Sequence, residues 1–275
     1  MISIRTTVTL PGGVAAMPVV GFGVYQNPNC KPACLAALQS GYRHIDSARA
    51  YRNEAQVGDA VRESGIPRED IFITSKINKI SGGYQSCLDA IGDSLKNFGF
   101  DYLDLYLIHS AYGGKAVRLE AWKALLAAKK AGKLRSVGVS NYNVKHLEEI
   151  TEAGLEMPSV NQVELHPYCQ QRSIVEYCRA HGIIVQAYTP LVRGKFENLV
   201  LQELSKKYGK DPAQILIRWS LQHGFVPLPK SQNPDRVRSN IDVFGFEISK
   251  EDIDRLDELD RGKEGAVTWN PIDVD

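Results

Sequence analysis

The 275-residue chain has almost no charge of one sign to spare: 33 Lys and Arg stand against 32 Asp and Glu, a formal net charge of +1. That balance argues against a nucleic-acid surface or a polybasic membrane patch, so any phosphate-binding charge must be local. The amino terminus, MISIRTTVTLPGG, lacks a long apolar segment and soon meets a turn. Neither a signal peptide nor a membrane span is expected, and the expected location is cytoplasmic. Cysteines are few and odd in number. Cys30, Cys34, Cys87, Cys169 and Cys178 form no zinc-type double pair, so they read as reduced thiols and no metal site is expected. No Pro/Ser-rich linker or low-complexity stretch divides the chain, which suits one domain over residues 1–275. A heptad seam is also missing, which leaves a monomer as the default.

What is present is alternation. Short β-rich runs at 19–22, 43–46, 71–75, 103–108, 134–139, 159–163, 183–188 and 225–229 are separated by helical patterns, as in Leu119, Trp122, Leu125 and Leu126. Eight such units over this length suggest an α/β chain closed into a (β/α)8 TIM barrel, with a doubly wound sheet as the runner-up. Val8 to Val14 reads as an N-terminal β-hairpin sealing the barrel bottom, and extra helices are expected at 199–208 and 249–259. In such a barrel the chemistry lies at the C-terminal ends of the strands. Asp46, Lys76, His109, Ser140, Asn141, Gln162, Tyr188 and Lys230 all fall at or near such ends.

Taken singly, these residues have ordinary explanations: a helix cap, a solvated charge, a structural donor. Together, three local contexts are distinctive. They are Gly41-Tyr42-Arg43-His44-Ile45-Asp46-Ser47-Ala48 followed by Tyr51 and Asn53-Glu54, then Ile71-Phe72-Ile73-Thr74-Ser75-Lys76, then Leu105-Tyr106-Leu107-Ile108-His109-Ser110. This combination resembles the aldo-keto reductases. The resemblance implies reduction of a small carbonyl compound, with Tyr51 as general acid, Lys76 as the cation that lowers its pKa, Asp46 as the lysine's partner and His109 positioning the carbonyl. The chemistry gives a reason for the set, because a free phenol with pKa near 10 is a weak donor at neutral pH.

Hydride must come from a cofactor. Gly21-Phe22-Gly23 opens like a dinucleotide fingerprint, but Gln26 replaces the third glycine, so a Rossmann site fails. The resemblance implies instead an extended NADPH/NADP+ across the rim. On that basis Ser140, Asn141 and Gln162 hold the carboxamide, and Tyr188 stacks on the nicotinamide. Gly23, Val24, Thr189 and Leu191 line the path, Lys230, Ser231 and Arg236 hold the 2′-phosphate, and Asn240 meets the adenine. Asn233 and Pro234 form a helix start beside Lys230, which by itself suits an anion. Ser239 departs from the glutamate common in the family. For substrate, Tyr25, Tyr51, His109, Tyr112 and Trp269 are the candidate lining residues. Val192 to Lys195 is too short for a long closing loop, so an open pocket is expected.

Two other classes compete. A metal-dependent barrel hydrolase would draw on His44, Asp46, Lys76, His109 and His166 but leaves Tyr51 and the anion segment without a role. A non-catalytic nucleotide-binding or regulatory barrel is the second, since fold does not fix function.

Overall fold

The computed structural model describes residues 2–12, 15–78 and 80–275. Strands β1 (Thr7–Thr9) and β2 (Ala16–Pro18) pair antiparallel as the expected hairpin. Gly13 and Val14, part of the expected hairpin segment, lie outside the described residues. Eight parallel strands follow: β3 (Phe22–Gly23), β4 (His44–Asp46), β5 (Phe72–Ile77), β6 (Leu103–Ile108), β7 (Leu134–Ser140), β8 (Val160–Glu164), β9 (Ile184–Tyr188) and β10 (Val226–Pro227). They neighbour one another in sequence order. The seam between first and last is joined by Gly21 N–H donating to Pro227 O and Gly23 N–H to Pro229 O, both at 3.0 Å. Because Pro227 and Pro229 have no N–H to return, this seam carries fewer bonds than its neighbours and its strands are short.

Seven of the eight barrel strands overlap their expected segments closely. The first is displaced: residues 19–20 form a bend after β2, and pairing with β4 begins only at Phe22. Packing explains the delay, because a Cβ on Gly21 would lie 2.6 Å from both the His44 ring and Leu228.

Ten α-helices surround the strands among the described residues. Helices α1 (Lys31–Gln39), α2 (Glu54–Glu63), α3 (Gly83–Phe98), α4 (Gly114–Lys130), α5 (Val144–Glu152) and α6 (Arg172–Ala180) connect β3 through β9. After β9 come α7 (Leu199–Tyr208) and α8 (Pro212–Gln222), and after β10 come α9 (Pro234–Ile241) and α10 (Lys250–Asp257). The extra helices therefore stand where expected, with α10 ending two residues early. All five cysteines are buried and unpaired. No helix among the described residues is long and apolar enough to cross a membrane.

Strand alternation divides the barrel interior into levels. Phe72, Leu105, Leu107, Val160 and Val226 form an apolar plug with Leu10, Ala15 and Met17 from the hairpin region. Above the plug the inward positions turn polar: His44 and Thr74, then Asp46, Lys76, Gln162 and Gln186, all buried. The plug excludes water from below, so each polar group must find its partner within the barrel.

His44 shows the cost of this arrangement. Its Nε2 lies 3.0 Å from Thr74 Oγ1, its Nδ1 is buried without a partner, and burial, reinforced by the Lys76 charge, pushes the imidazole down from 6.5 to about 3. Between those values the unfolded chain binds a proton that the folded chain refuses, so stability falls as pH drops through this window. At about 1.4 kcal/mol per pH unit, moving from pH 7 to pH 5 should cost roughly 2 kcal/mol at this residue alone. His44→Gln should recover most of that difference in denaturant unfolding at the two pH values. An equally large acid loss in the variant would contradict the assignment.

Candidate active site

Lys76 is fully buried on β5, and Asp46 ends the neighbouring strand β4. The ammonium Nζ donates to Asp46 Oδ1 at 2.5 Å and to the Ser47 carbonyl at 2.9 Å. Burial pulls the lysine pKa down while the attraction and hydrogen bond to Asp46 oppose it. The other carboxylate oxygen, Oδ2, accepts from Gln162 Nε2 at 2.9 Å. Both oxygens of a dehydrated carboxylate are thus engaged, which is the condition under which a buried pair is tolerable.

Tyr51 ends a 3₁₀ turn, Arg49–Tyr51, after which Arg52 turns the chain with φ of 56°. This short turn carries the phenol back over the strand ends. Its ring centroid lies 5.1 Å from Lys76 Nζ, 5.0 Å from the Tyr25 ring and 5.8 Å from the His109 ring, the last edge-on at 75°. Burial first, and then the Asp46 charge, raise the Tyr51 pKa. The expected lowering by Lys76 is therefore reversed in the free chain. The physical reason is the ion pair: the ammonium is directed at Asp46 and the Ser47 carbonyl, and its paired charge no longer offsets the loss of hydration at the phenol.

His109 follows β6, with its N–H donating to Ile77 O at 2.7 Å and its carbonyl accepting from Asn141 Nδ2 at 3.0 Å. Burial and the Lys76 charge push this imidazole down to about 3, so it is neutral near pH 7. A neutral ring has both a donor and an acceptor nitrogen, and here Nδ1 is buried without a partner.

The facing wall is one hydrogen-bonded unit. Ser140 Oγ donates to Gln162 O at 2.8 Å, Asn141 Nδ2 reaches Ser140 Oγ at 3.2 Å, and the Tyr188 hydroxyl donates to Asn141 Oδ1 at 2.8 Å. Asn141 holds φ of 58°, a conformation asparagine tolerates. Thr189 and Val192 hold φ of 53° and 45°, which is strained for β-branched side chains and typical of ligand-holding segments. Leu191 lies between them, beside the strand end.

At the closing seam, Gly23 and the buried Val24 abut the Lys230 segment. Burial and the Arg193 charge both depress Lys230. Asp235, next to Arg236 in the first turn of α9, is occupied by Arg238, and Lys230, Arg193 and Arg236 form no salt bridge among the described residues. Crowded cations without acids suit an anion. Asn233 caps α9 as expected, but its Oδ1 accepts from the Asp235 and Arg236 amides at 2.8 and 3.3 Å, and Ser231 Oγ accepts from Asn233 N–H at 3.1 Å. The expected cradle of free helix amides is thereby reduced, and the side-chain cations dominate. Asn240 is buried on α9.

At the mouth, Tyr25, Tyr112 and Trp269 are exposed. Tyr112 and Trp269 stack with centroids 5.8 Å apart, joined by Trp269 Nε1 donating to Tyr112 Oη at 3.3 Å. The carboxy-terminal tail that brings Trp269 here is anchored by buried Glu164, which accepts from Val267 N–H at 2.6 Å and from the Thr268 hydroxyl. Trp269 O lies 3.1 Å from Tyr188 Oη, whose single proton goes to the closer Asn141 Oδ1.

Sequence reasoning assigned no role to Glu164, Gln186, Gln26 or Arg193. Arg193 Nη2 reaches Gln26 Oε1 at 3.4 Å, so even the short segment after Tyr188 crosses the seam. Strand periodicity was the available signal for Glu164 and Gln186, which share the inward face with Gln162 and Tyr188. For Arg193 and Gln26, both in left-handed turns, no local signal exists. The histidines of the hydrolase reading do not converge: His166 pairs with Glu164 at 3.0 Å, and no group of three or more His, Cys, Asp or Glu among the described residues could hold a metal ion.

Comparison with known proteins shows the family. The model of the Aldo/keto reductase family matches residues 22–261. The chain belongs to that family. Among relatives of this aldo-keto reductase family member, an uncharacterized oxidoreductase of Schizosaccharomyces pombe is 48% identical over 262 residues, covering 92% of this chain and 93% of the relative. The glyoxal reductase of Bacillus subtilis is 44% identical over 276 residues, covering 99% and 98%. The crystal structure of an aldo-keto reductase enzyme from a Medee basin deep-sea metagenome library superposes with a TM-score of 0.92 at 38% identity, covering 98% of this chain and 99% of that one.

Proposed function

We propose that this family member reduces aldehydes and ketones to alcohols with NADPH, with Tyr51 as the general acid. The observation that carries the reading is the placement of the Tyr51 ring between a neutral His109 and the buried Lys76–Asp46 pair at one strand-end rim. The glyoxal reductase relative supports small reactive carbonyls as substrates. A monomer acting on a small molecule in the cytoplasm completes the proposal.

The residues present fit a nicotinamide dinucleotide phosphate. Ser140, Asn141 and Gln162 offer amide and hydroxyl groups beside Tyr188, whose ring suits stacking. Gly23, Val24, Thr189 and Leu191 would flank the middle of the molecule, Asn240 its adenine, and Lys230, Ser231 and Arg236 its 2′-phosphate. When bound, the reduced cofactor supplies the hydride. The residues of the chain manage the oxygen. A carbonyl held near His109 and Tyr51 gains negative charge on oxygen as its carbon is reduced, and the Tyr51 hydroxyl transfers its proton there to form the alcohol. The neutral imidazole can orient the carbonyl by a hydrogen bond without adding a competing charge. Tyr25, Tyr112 and Trp269 would line the outer, open part of the pocket and exclude water by their apolar faces.

The raised Tyr51 pKa keeps the phenol protonated through neutral pH, as a donor must be, while leaving it a weaker acid than a free phenol. In steady-state assays with glyoxal or an aromatic aldehyde, the reductive rate should stay level through neutral pH and hold through the range where an ordinary phenol ionises, because the raised pKa keeps Tyr51 protonated there. Tyr51→Phe should lower kcat by at least about 100-fold while NADPH affinity stays within a few fold, because general acid catalysis is worth roughly 10² to 10⁴. Near-normal turnover by the folded variant would refute the role.

The cofactor choice has its own test. Hydrogen bonds to charged groups are worth about 1.5 to 3 kcal/mol, so Arg236→Ala should weaken NADPH binding by roughly 10- to 100-fold and leave NADH binding nearly unchanged. Equal losses for both cofactors in fluorescence titrations, or a wild-type preference for NADH, would contradict the 2′-phosphate assignment.

A further inference from the structure

We infer that Gln186 is a positioning residue that, with Asp46, locks the Gln162 side-chain amide so that its oxygen alone faces the cofactor. The inference rests on the nicotinamide reading above and names an interaction of that site. Gln162 and Gln186 are directly paired across β8 and β9, and both side chains are buried in the polar level of the barrel. A glutamine amide has two N–H donors and one acceptor oxygen. Both donors of Gln162 are spent, one on Asp46 Oδ2 at 2.9 Å and one on Gln186 Oε1 at 2.8 Å. A carboxylate only accepts, so the side of Gln162 facing Asp46 must be nitrogen.

Gln186 is itself held in this sense. Its Nε2 lies 3.0 Å from Met17 Sδ, a weak acceptor at the end of the hairpin, which leaves its oxygen turned toward Gln162. The Gln162 oxygen accepts from no donor among the described residues, yet it is not among the fully enclosed partnerless atoms. It is therefore an acceptor presented to the mouth, and its complement is an N–H donor. In a nicotinamide the carboxamide –NH₂ is that donor, so Gln162 fixes which way the carboxamide turns. Without the Gln186 acceptor, one buried N–H of Gln162 loses its partner, and the amide, still held to Asp46 through its nitrogen, tilts about that single bond so that its oxygen no longer points squarely at the mouth.

The test uses NADP⁺ and its 3-acetylpyridine analogue, in which a methyl group replaces the carboxamide –NH₂, titrated into the purified full chain by calorimetry. Wild type should bind NADP⁺ about 3- to 10-fold more tightly than the analogue, the worth of one neutral hydrogen bond. In Gln186→Met, similar in size but without the acceptor, that ratio should fall toward one. In Gln186→Glu, which keeps an acceptor oxygen at the same place, the ratio should be retained. A merely structural role for Gln186 would weaken both ligands equally and leave the Gln186→Met ratio unchanged, which overturns the inference while the nicotinamide reading stands. Equal wild-type binding of the two ligands also overturns it, and does so even if the Gln186 variants fail to fold. No binding of NADP⁺ by folded wild type would overturn the nicotinamide reading and this inference with it.

Discussion

A lysine ammonium cannot lie buried inside a barrel without a counter-charge, and the rest of this site is arranged around the pair that Lys76 makes with Asp46 at 2.5 Å. The Coulomb attraction offsets a desolvation cost of several kcal/mol per ion only when the remaining donors and acceptors are also satisfied. Here the Ser47 carbonyl takes a second lysine proton, and Gln162 supplies a donor to the second carboxylate oxygen. Those requirements fix three strand ends relative to one another. They also set the electrostatic background in which Tyr51 and His109 sit: the phenol is held protonated and the imidazole neutral, so both are uncharged near neutral pH.

The apolar plug beneath this level gives the pair its low-polarity setting. The hairpin contributes Met17 to that plug, and the same residue touches Gln186, which touches Gln162. A closure device at the barrel bottom is thus in contact with a chain of side chains leading to the rim. Strain is concentrated on the other side of the mouth, where Thr189 and Val192 hold left-handed backbone conformations and Arg193 reaches across the seam. The half built on the ion pair holds the groups proposed for the proton chemistry, and the strained half lies along the proposed cofactor path.

Much of this was legible in the sequence because parallel strands in a barrel are short apolar runs ending in polar residues, and Asp46, Lys76, His109, Ser140, Gln162 and Tyr188 each lie at or near the end of one. The eight-strand alternation, the hairpin and the extra helices could be read from periodicity for the same reason. The first strand could not, because its start is set by the close approach of Gly21 to His44 and Leu228, a tertiary contact with no local signature. The direction of the Tyr51 shift was also beyond a linear reading. It is set first by burial of the phenol and then by the Asp46 charge beside it, both of which come from three-dimensional packing. Arg193 was similarly hidden, since a charged loop residue gives no sign of which loop it will meet.

One buried carboxylate, Asp46, holds together the surroundings of both the proposed proton donor and the proposed cofactor wall. Asp46→Asn tests it most directly, because the variant puts an amide where the carboxylate accepted from both Lys76 and Gln162. Its oxygen can still accept from Lys76, but its nitrogen then faces the Gln162 donor, so Gln162 must turn. Measured on folded variant protein, kcat for carbonyl reduction should fall by at least about 100-fold, and NADPH affinity should fall about 3- to 10-fold with it. Loss of turnover with unchanged NADPH affinity would contradict the coupling, and unchanged turnover would contradict the role of the pair itself.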